Sequence, residues 1–114
     1  MTATELIEDY LGLWNEPEAG ARLRAMRGLL ADDVAYSDPD DGAVRGHAGL
    51  SATIGRVRAA VGDARFALGE VIGAHHGRAL FTWRLVTGAG TVATGYDVLT
   101  HEDGRVTGVV GFFV

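Results

Sequence analysis

The chain has 114 residues, of which 47% are hydrophobic and 22% charged, with a formal net charge of −5 at pH 7. This composition excludes a disordered chain, and the length suits one domain over residues 1–114. The acidic balance argues against nucleic acid and anionic membranes as partners. Because cysteine is absent, disulfides, thiolate nucleophiles and cysteine-ligated metal sites are excluded.

The N-terminal segment lacks the pattern of a targeting sequence. MTATELIEDY carries acidic residues where a signal peptide needs a basic segment followed by an apolar one. No stretch approaches the roughly eighteen consecutive apolar residues that a membrane-spanning helix requires. We therefore expect a cytoplasmic protein that does not cross a membrane.

Two helices are predicted at the start of the chain. Thr2 and Glu5 have the spacing of a capping box, and the apolar residues that follow recur at helical intervals. This pattern predicts a first helix over Ala3–Asn15. Pro17 suits the first turn of a second helix, and we expect the acidic pair at positions 32–33 to end it.

A short strand, a loop and a third helix are predicted next. Residues 34–37 predict a strand that ends at Asp38, because the residue before Pro39 is displaced from the helical region. The acidic stretch that leads to Gly42 is expected to be a loop. A third helix is predicted over Gly46–Val61, from apolar residues at positions 50, 54, 57 and 61.

From Ala64 onward the hydrophobic period changes to that of β-strands. Four strands are predicted, over residues 65–74, 78–86, 91–100 and Arg105–Phe113. Glycine-containing turns join them as hairpins. Helices followed by an antiparallel meander predict the α+β class, with the helices on one face of the sheet. Glycines within the strands permit bends, so such a sheet has room for a pocket.

Asp97 occupies an unusual position in the third of these strands. It shares one face of the strand with Ala93, Gly95 and Leu99, which are small or apolar. If that face points inward, burial would raise the pKa of the Asp97 carboxyl. Two other interpretations stay open: the face is solvated, or Asp97 pairs with Arg84 on the neighbouring strand.

Asp38 and Tyr10 also allow two interpretations each. An aspartate before proline at a strand end usually accepts hydrogen bonds from turn amides, but Asp38 could also present a reactive carboxylate to a cavity. Tyr10 lies on the apolar stripe of the first helix. It is therefore either a core residue or a hydroxyl donor in a site, since a buried tyrosine hydroxyl needs a partner.

Aromatic residues provide candidate walls for a ligand site, with plain core packing as the alternative. The residues predicted to contact substrate are Trp14, Tyr36, Trp83 and Phe112, together with His75 as a polar group. His75 and His76 are neighbours in a predicted strand, so their side chains should point to opposite faces and not share one metal ion. We predict neither a metal site nor a cofactor.

Four segments together resemble the NTF2-like superfamily, which includes the SnoaL-like proteins and the ketosteroid isomerases. They are DYLGLWN (9–15), ADDVAYSDP (31–39), RGHAGL (45–50) and TVATGYDVL (91–99). The resemblance spans nearly the whole chain. It implies a cone-shaped, cystatin-like α+β fold, in which three N-terminal helices pack in a strongly curved mixed or antiparallel sheet.

The resemblance also implies a function and a site. By similarity to the ketosteroid isomerases, Asp38 is the general base that moves a proton between carbon atoms, and Tyr10 and Asp97 donate hydrogen bonds to the oxyanion. The expected protein is a cofactor-free, homodimeric isomerase or cyclase that acts on a small, mostly apolar carbonyl compound. A non-catalytic ligand-binding or dimerisation module, and a hydrolase or dehydratase that uses the same pocket, remain open.

The chain departs from the isomerase pattern at several positions. Ile54 stands where those isomerases carry a tyrosine that contacts the catalytic one. Thr82 and Arg84 introduce polar groups into a strand where a steroid pocket would be apolar, so a steroid substrate is not expected. No Arg-x-Asp sequence occurs, which disfavours the limonene-epoxide hydrolase branch of the superfamily. Asp40 and Asp41 are expected to lie in a solvated loop.

Overall fold

The computed structural model describes residues 1–114 and contains three helices and six strands. In chain order these are α1 (Ala3–Asn15), α2 (Ala19–Leu29), β1 (Leu30–Asp38), β2 (Gly42–Arg45), α3 (Gly46–Val61), β3 (Arg65–His75), β4 (Arg78–Thr87), β5 (Gly90–Glu102) and β6 (Arg105–Phe113). The predicted α+β class is confirmed. None of the three helices has the length and hydrophobicity needed to cross a membrane.

The six strands form one open, mixed sheet in the order β2-β1-β6-β5-β4-β3. All neighbouring pairs are antiparallel except β1 and β6, which are parallel. Strand β6 therefore lies between β1 and β5. As a result, residues near the end of β1 and residues in the middle of β5 share one face of the sheet.

The core lies between the helices and the inner face of the sheet, and α1 contributes most of the helical part. Its capping box forms as predicted, since the Thr2 hydroxyl accepts from the Glu5 N–H and the Glu5 carboxylate accepts from the Thr2 N–H. The helix buries an apolar stripe that consists of Leu6, Ile7, Tyr10, Leu11, Leu13 and Trp14. These residues join a single cluster of twenty buried hydrophobic residues, so the fold has one core.

The boundary between α2 and β1 differs from the prediction. Helix α2 ends at Leu29, before the acidic pair at 32–33, and β1 starts at Leu30 and continues to Asp38. Leu30 is fully buried and pairs with Val106 of β6. Burial of Leu30 in the sheet and this strand pairing outweigh the local helical pattern, so the chain leaves the helix earlier than its sequence indicates.

Strand β2 was not predicted. Its four residues pair antiparallel with β1 at the edge of the sheet, where Ala35 lies opposite Arg45 and Asp38 opposite Gly42. Gly42 begins the strand with φ +69°, a conformation that favours glycine. A four-residue, mostly exposed strand is too short to show the alternation from which a strand is normally predicted.

Candidate functional site

A cavity of about 420 Å³ opens between the inner face of the sheet and helices α1 and α3. This volume falls within the range of small-molecule sites. Twelve of its seventeen lining residues are hydrophobic. The other five include four aspartates. The lining residues are Leu11, Trp14, Tyr36, Asp38, Asp40, Asp41, Val57, Ala60, Val61, Phe66, Trp83, Leu85, Ala93, Thr94, Asp97, Phe113 and Val114.

Asp38 is both a turn residue and a cavity residue. Its Oδ1 accepts hydrogen bonds from the backbone N–H groups of Asp40 (2.9 Å) and Asp41 (2.7 Å), which is the geometry of an aspartate-stabilised turn. Its Oδ2 accepts from the hydroxyl of Tyr36 at 2.5 Å. The carboxylate is 9% exposed and lines the cavity. Three donors therefore hold the carboxyl group in one orientation.

Asp97 has a different environment in the same cavity. It is 6% exposed, and the only hydrogen bond to its carboxyl comes from the indole Nε1 of Trp83, 3.2 Å from Oδ1. Burial is the main cause that raises the pKa of Asp97 to about 7; the Trp83 hydrogen bond opposes it, and the charge of Asp38 contributes in the same direction as burial. Asp97 therefore carries a proton below about pH 7.

Gly111 of β6 separates the two carboxyl groups. It pairs with Asp97 of β5, and on its other side Ser37 pairs with Val110, which places Asp38 beside it. A Cβ atom at this glycine would lie 3.0 Å from Asp97 Oδ1 and 3.4 Å from Asp38 Cβ. The absence of a side chain keeps the space between the two carboxyl groups open.

Tyr10 lies near these carboxyl groups without lining the cavity. The residue is fully buried, and its hydroxyl has no hydrogen-bond partner within the chain. Burial raises the pKa of Tyr10 well above its ordinary value, and the charges of Asp97 and Asp38 add to the effect. The hydroxyl therefore stays protonated and has an unused donor.

Five aromatic rings form a continuous wall. Trp14 contacts Tyr36 and Phe66 at centroid distances of 5.3 and 5.7 Å, Phe66 contacts Trp83 at 5.5 Å, and Trp83 contacts Phe113 at 6.0 Å. Tilted and edge-to-face contacts of this kind are favourable. The wall is therefore rigid and apolar next to the two carboxyl groups.

The structure brings together most of the residues that the sequence singled out. Asp38, Asp97, Trp14, Tyr36 and Trp83 all line the cavity. Tyr36 and Trp83 also do more than form walls, since each donates a hydrogen bond to one of the two aspartates. This second role depends on side-chain geometry that the sequence pattern does not contain.

Two predicted substrate contacts lie elsewhere. Phe112 is about half exposed on the outer face of the sheet, and its neighbour Phe113 lines the cavity instead, because successive residues of a strand point to opposite faces. His75 is exposed at the end of β3. The expectation that His75 and His76 diverge is wrong: His76 has φ +48° in the turn, and the two Nδ1 atoms are 3.1 Å apart.

Two expectations about Thr82 and Arg84 of β4 are corrected, because neither side chain points into the cavity. Arg84 is exposed and does not pair with Asp97, so of the interpretations left open for Asp97 the buried one is observed. Neither Thr82 nor Arg84 lines the cavity, and the Thr82 hydroxyl accepts instead from the Glu70 N–H. Their polarity therefore says nothing about the substrate.

Sequence reasoning missed part of the cavity rim. Asp40 and Asp41 lie in the predicted loop, and Asp40 is exposed as expected, but both residues line the cavity and Asp41 is half-buried. Burial and the nearby Asp38 raise the pKa of Asp41, while Arg56, 3.8 Å away, lowers it. Phe66 was also missed, although an apolar aromatic at the start of a predicted strand was a usable signal.

Comparison with known proteins identifies the family. The family model of the SnoaL-like domain matches residues 7–109. The chain belongs to the SnoaL-like family. A solved structure of a candidate SnoaL-like isomerase from Agrobacterium tumefaciens is similar to it at 31% identity, with a TM-score of 0.89 over 97% of this chain and 96% of that one.

Two more distant solved structures share the fold. A candidate ketosteroid isomerase from Kribbella flavida is 23% identical, with a TM-score of 0.73 over 96% of this chain and 76% of that one. A candidate SnoaL-like polyketide cyclase from Jannaschia is 17% identical, with a TM-score of 0.73 over 96% and 85% of the two chains. No curated protein sequence matches the chain at a significant level.

Proposed function

We propose that the protein is an isomerase or cyclase that moves a proton between carbon atoms adjacent to a carbonyl group. The observation that carries the proposal is the contrast between two carboxyl groups in one cavity. Asp38 accepts three hydrogen bonds, whereas Asp97 accepts one and is mostly desolvated. One group suits a base and the other suits a neutral donor.

The chemistry follows from this division of roles. Asp38 removes a proton from the carbon next to the carbonyl, and negative charge then develops on the carbonyl oxygen. Protonated Asp97 donates a hydrogen bond to that oxygen, which stabilises the charge without rearrangement of the site. In a carbonyl compound with a β,γ double bond, the charge spreads over a dienolate, and Asp38 then returns the proton to the γ carbon, so that the double bond moves into conjugation with the re-formed carbonyl group. These steps need only groups that the chain itself provides.

Tyr10 is the second donor in this proposal. Its buried hydroxyl has no partner within the chain, and a buried hydroxyl without a partner costs free energy. A substrate oxygen seated beside Asp97 at the cavity floor would accept from it. Because Tyr10 does not line the cavity itself, the substrate oxygen must enter deeper than the aromatic wall to contact the Tyr10 hydroxyl.

The lining favours an uncharged substrate. It contains four acidic side chains and five aromatic rings, and no lysine, arginine or histidine. An anionic substrate would be repelled by the ionised carboxylates in a partly desolvated site. A compact, mostly apolar ketone or related carbonyl compound fits both the volume and the charge of the cavity.

The proposal is tested by deuterium exchange. Uncharged cyclic ketones and β-dicarbonyl compounds are incubated with the protein in D₂O, and loss of the signal from the hydrogen next to the carbonyl is followed by ¹H NMR. We expect enzyme-dependent exchange with at least one compound. Asp38→Asn should reduce the rate about 100-fold or more, because general base catalysis contributes about that much.

The matched control is Asp33→Asn. Asp33 lies on the same strand as Asp38 but is exposed and outside the cavity, so its substitution should leave the exchange rate unchanged. The proposal is wrong if Asp38→Asn exchanges as fast as the wild-type protein on the compound that reacts.

A second candidate role, as a dimerisation module, is favoured by the outer face of the sheet. We propose that two copies associate through this face, where β5 and β6 expose the apolar residues Val92, Tyr96, Val110 and Phe112. Contiguous exposed apolar residues commonly mark an interface. This role is compatible with catalysis in the cavity on the opposite face.

Light scattering coupled to size exclusion tests this association. The wild-type chain should elute as a dimer, and Phe112→Glu should convert it to a monomer. Ile72→Glu is the control, since Ile72 is similarly exposed (47%, against 51% for Phe112) but lies on the edge strand β3. A monomeric wild-type protein at high concentration would contradict the proposed dimer.

A further inference from the structure

We infer that Tyr36 is the positioning residue of the base: its hydroxyl fixes the orientation of the Asp38 carboxylate in the cavity. This inference rests on the proposed role of Asp38. Tyr36 and Asp38 are two residues apart on β1, so their side chains leave the same face of the strand. Both are buried, and the contact between Tyr36 Oη and Asp38 Oδ2 is 2.5 Å.

The length of this contact is typical of a hydrogen bond from a hydroxyl to an ionised carboxylate. The other carboxylate oxygen, Oδ1, is already occupied by the N–H groups of Asp40 and Asp41. Rotation of the carboxylate would therefore break hydrogen bonds at both oxygens. Tyr36 and the turn together hold the group from two sides.

The same geometry assigns different tasks to the two oxygens of Asp38. Oδ1 accepts two hydrogen bonds and is committed to the turn, whereas Oδ2 accepts only the one from Tyr36. A carboxylate oxygen can accept two hydrogen bonds, so Oδ2 retains the capacity to accept a proton. Tyr36 thus marks Oδ2 as the reactive oxygen.

Tyr36 is suited to remain a donor. Burial raises the pKa of Tyr36 far above its ordinary value, and neighbouring Tyr10 and the hydrogen bond to Asp38 raise it further. The hydroxyl keeps its proton while Asp38 is ionised. The ring itself is held by Trp14, at a centroid distance of 5.3 Å, so the donor has little freedom to turn away.

Tyr36→Phe separates a positioning role from a purely structural one. With the ketone identified by the exchange screen, we expect kcat at pH 7 to fall about tenfold with little change in KM. The substrate still binds, but the carboxylate loses one of the hydrogen bonds that orient it toward the bound substrate. Tyr96→Phe is the control, because Tyr96 lies partly exposed on the outer face. An unchanged kcat in folded Tyr36→Phe, or an effect confined to KM, would overturn the inference.

A second readout needs no substrate. The hydroxyl proton of a short hydrogen bond gives a strongly downfield ¹H NMR signal, which we expect in the wild-type protein and in Tyr96→Phe but not in Tyr36→Phe or Asp38→Asn. A downfield signal that persists in Asp38→Asn would overturn the Tyr36–Asp38 contact itself. If Asp38→Asn loses the signal but keeps full exchange activity, the hydrogen bond between Tyr36 and Asp38 is confirmed. The proposed role of Asp38 as the base is then wrong, and so is the positioning role of Tyr36.

Discussion

Gly95 determines how Trp83 reaches Asp97. Trp83 of β4 and Gly95 of β5 lie opposite each other, and the indole of Trp83 lies directly over Gly95. A Cβ atom at position 95 would be 2.2 Å from Cζ2 and 2.5 Å from Cε2 of Trp83, and 2.6 Å from the Phe112 carbonyl oxygen. Because backbone and ring surround this position, no side chain fits without displacing the indole.

Gly95→Ala should therefore destabilise the fold and break the Trp83–Asp97 hydrogen bond. We expect the free energy of unfolding to fall by about 1–3 kcal/mol, the usual cost of overpacking a core. Urea unfolding followed by tryptophan fluorescence measures this, because both tryptophans of the chain line the cavity. Gly12→Ala is the control: Gly12 lies on the exposed side of α1 and no atom lies within 4 Å of the added methyl group, so it should stabilise by about 1 kcal/mol.

The sequence was a better guide to the positions of Asp38 and Asp97 than to the side chains that donate hydrogen bonds to them. The small and apolar neighbours of Asp97 allowed a buried face as one of three interpretations, and the family resemblance implied that Asp38 shares a site with Asp97. The hydrogen bonds from Tyr36 and Trp83 were not predictable, because they depend on rotamers and on the register that sets Trp83 over Gly95. Phe112 was chosen over Phe113 because the sequence does not show the bulges that set which face of the sheet each residue occupies.

At the level of elements, Arg22 joins the three helices behind the cavity. Its guanidinium is 3% exposed and donates to the Glu16 carbonyl (2.7 Å), to the Ser51 hydroxyl (3.1 Å) and to the Ser51 carbonyl (3.1 Å). These acceptors lie at the end of α1 and in α3, while Arg22 belongs to α2. Arg22 thus fixes α3, which forms one wall of the cavity.

Arg22→Met should lower the free energy of unfolding by about 2 kcal/mol, because it keeps the apolar stem but removes three donated hydrogen bonds. Arg24→Met is the control in the same helix. Arg24 makes only a surface ion pair with Glu18 at 3.7 Å, and such solvent-exposed pairs contribute little to stability. Equal midpoints for the two variants in urea unfolding would contradict the role of Arg22.

The helices that carry strong local signals were predictable, and the elements that depend on pairing were not. The capping box and apolar stripe gave α1 its observed bounds, Ala3–Asn15. The start of β1 at Leu30 and the whole of β2 depend on contacts with strands distant in sequence. A local pattern contains no information about such contacts.

At the scale of the whole molecule, the position of β6 creates the site. The last strand of the chain inserts between β1 and β5 and pairs with β1 in parallel. This brings Asp38, from the first half of the chain, within one strand of Asp97. The sequence alone indicated a meander for the last four strands but gave no signal for the parallel pair. The resemblance to the NTF2-like superfamily supplied the overall arrangement that local patterns lacked.

We propose that one cavity holds two carboxyl groups with separate roles: Asp38 as the ionised base and Asp97 as the neutral donor. The most direct test is the pH–rate profile of deuterium exchange for the wild-type protein and Asp97→Asn. Burial raises the pKa of Asp97 to about 7, so the neutral donor is present below that pH and is lost above it. We expect the rate to fall above pH 7 in the wild-type protein and to show no such fall in Asp97→Asn. A rate that keeps rising through pH 8, or an alkaline fall that persists in Asp97→Asn, would contradict the proposal.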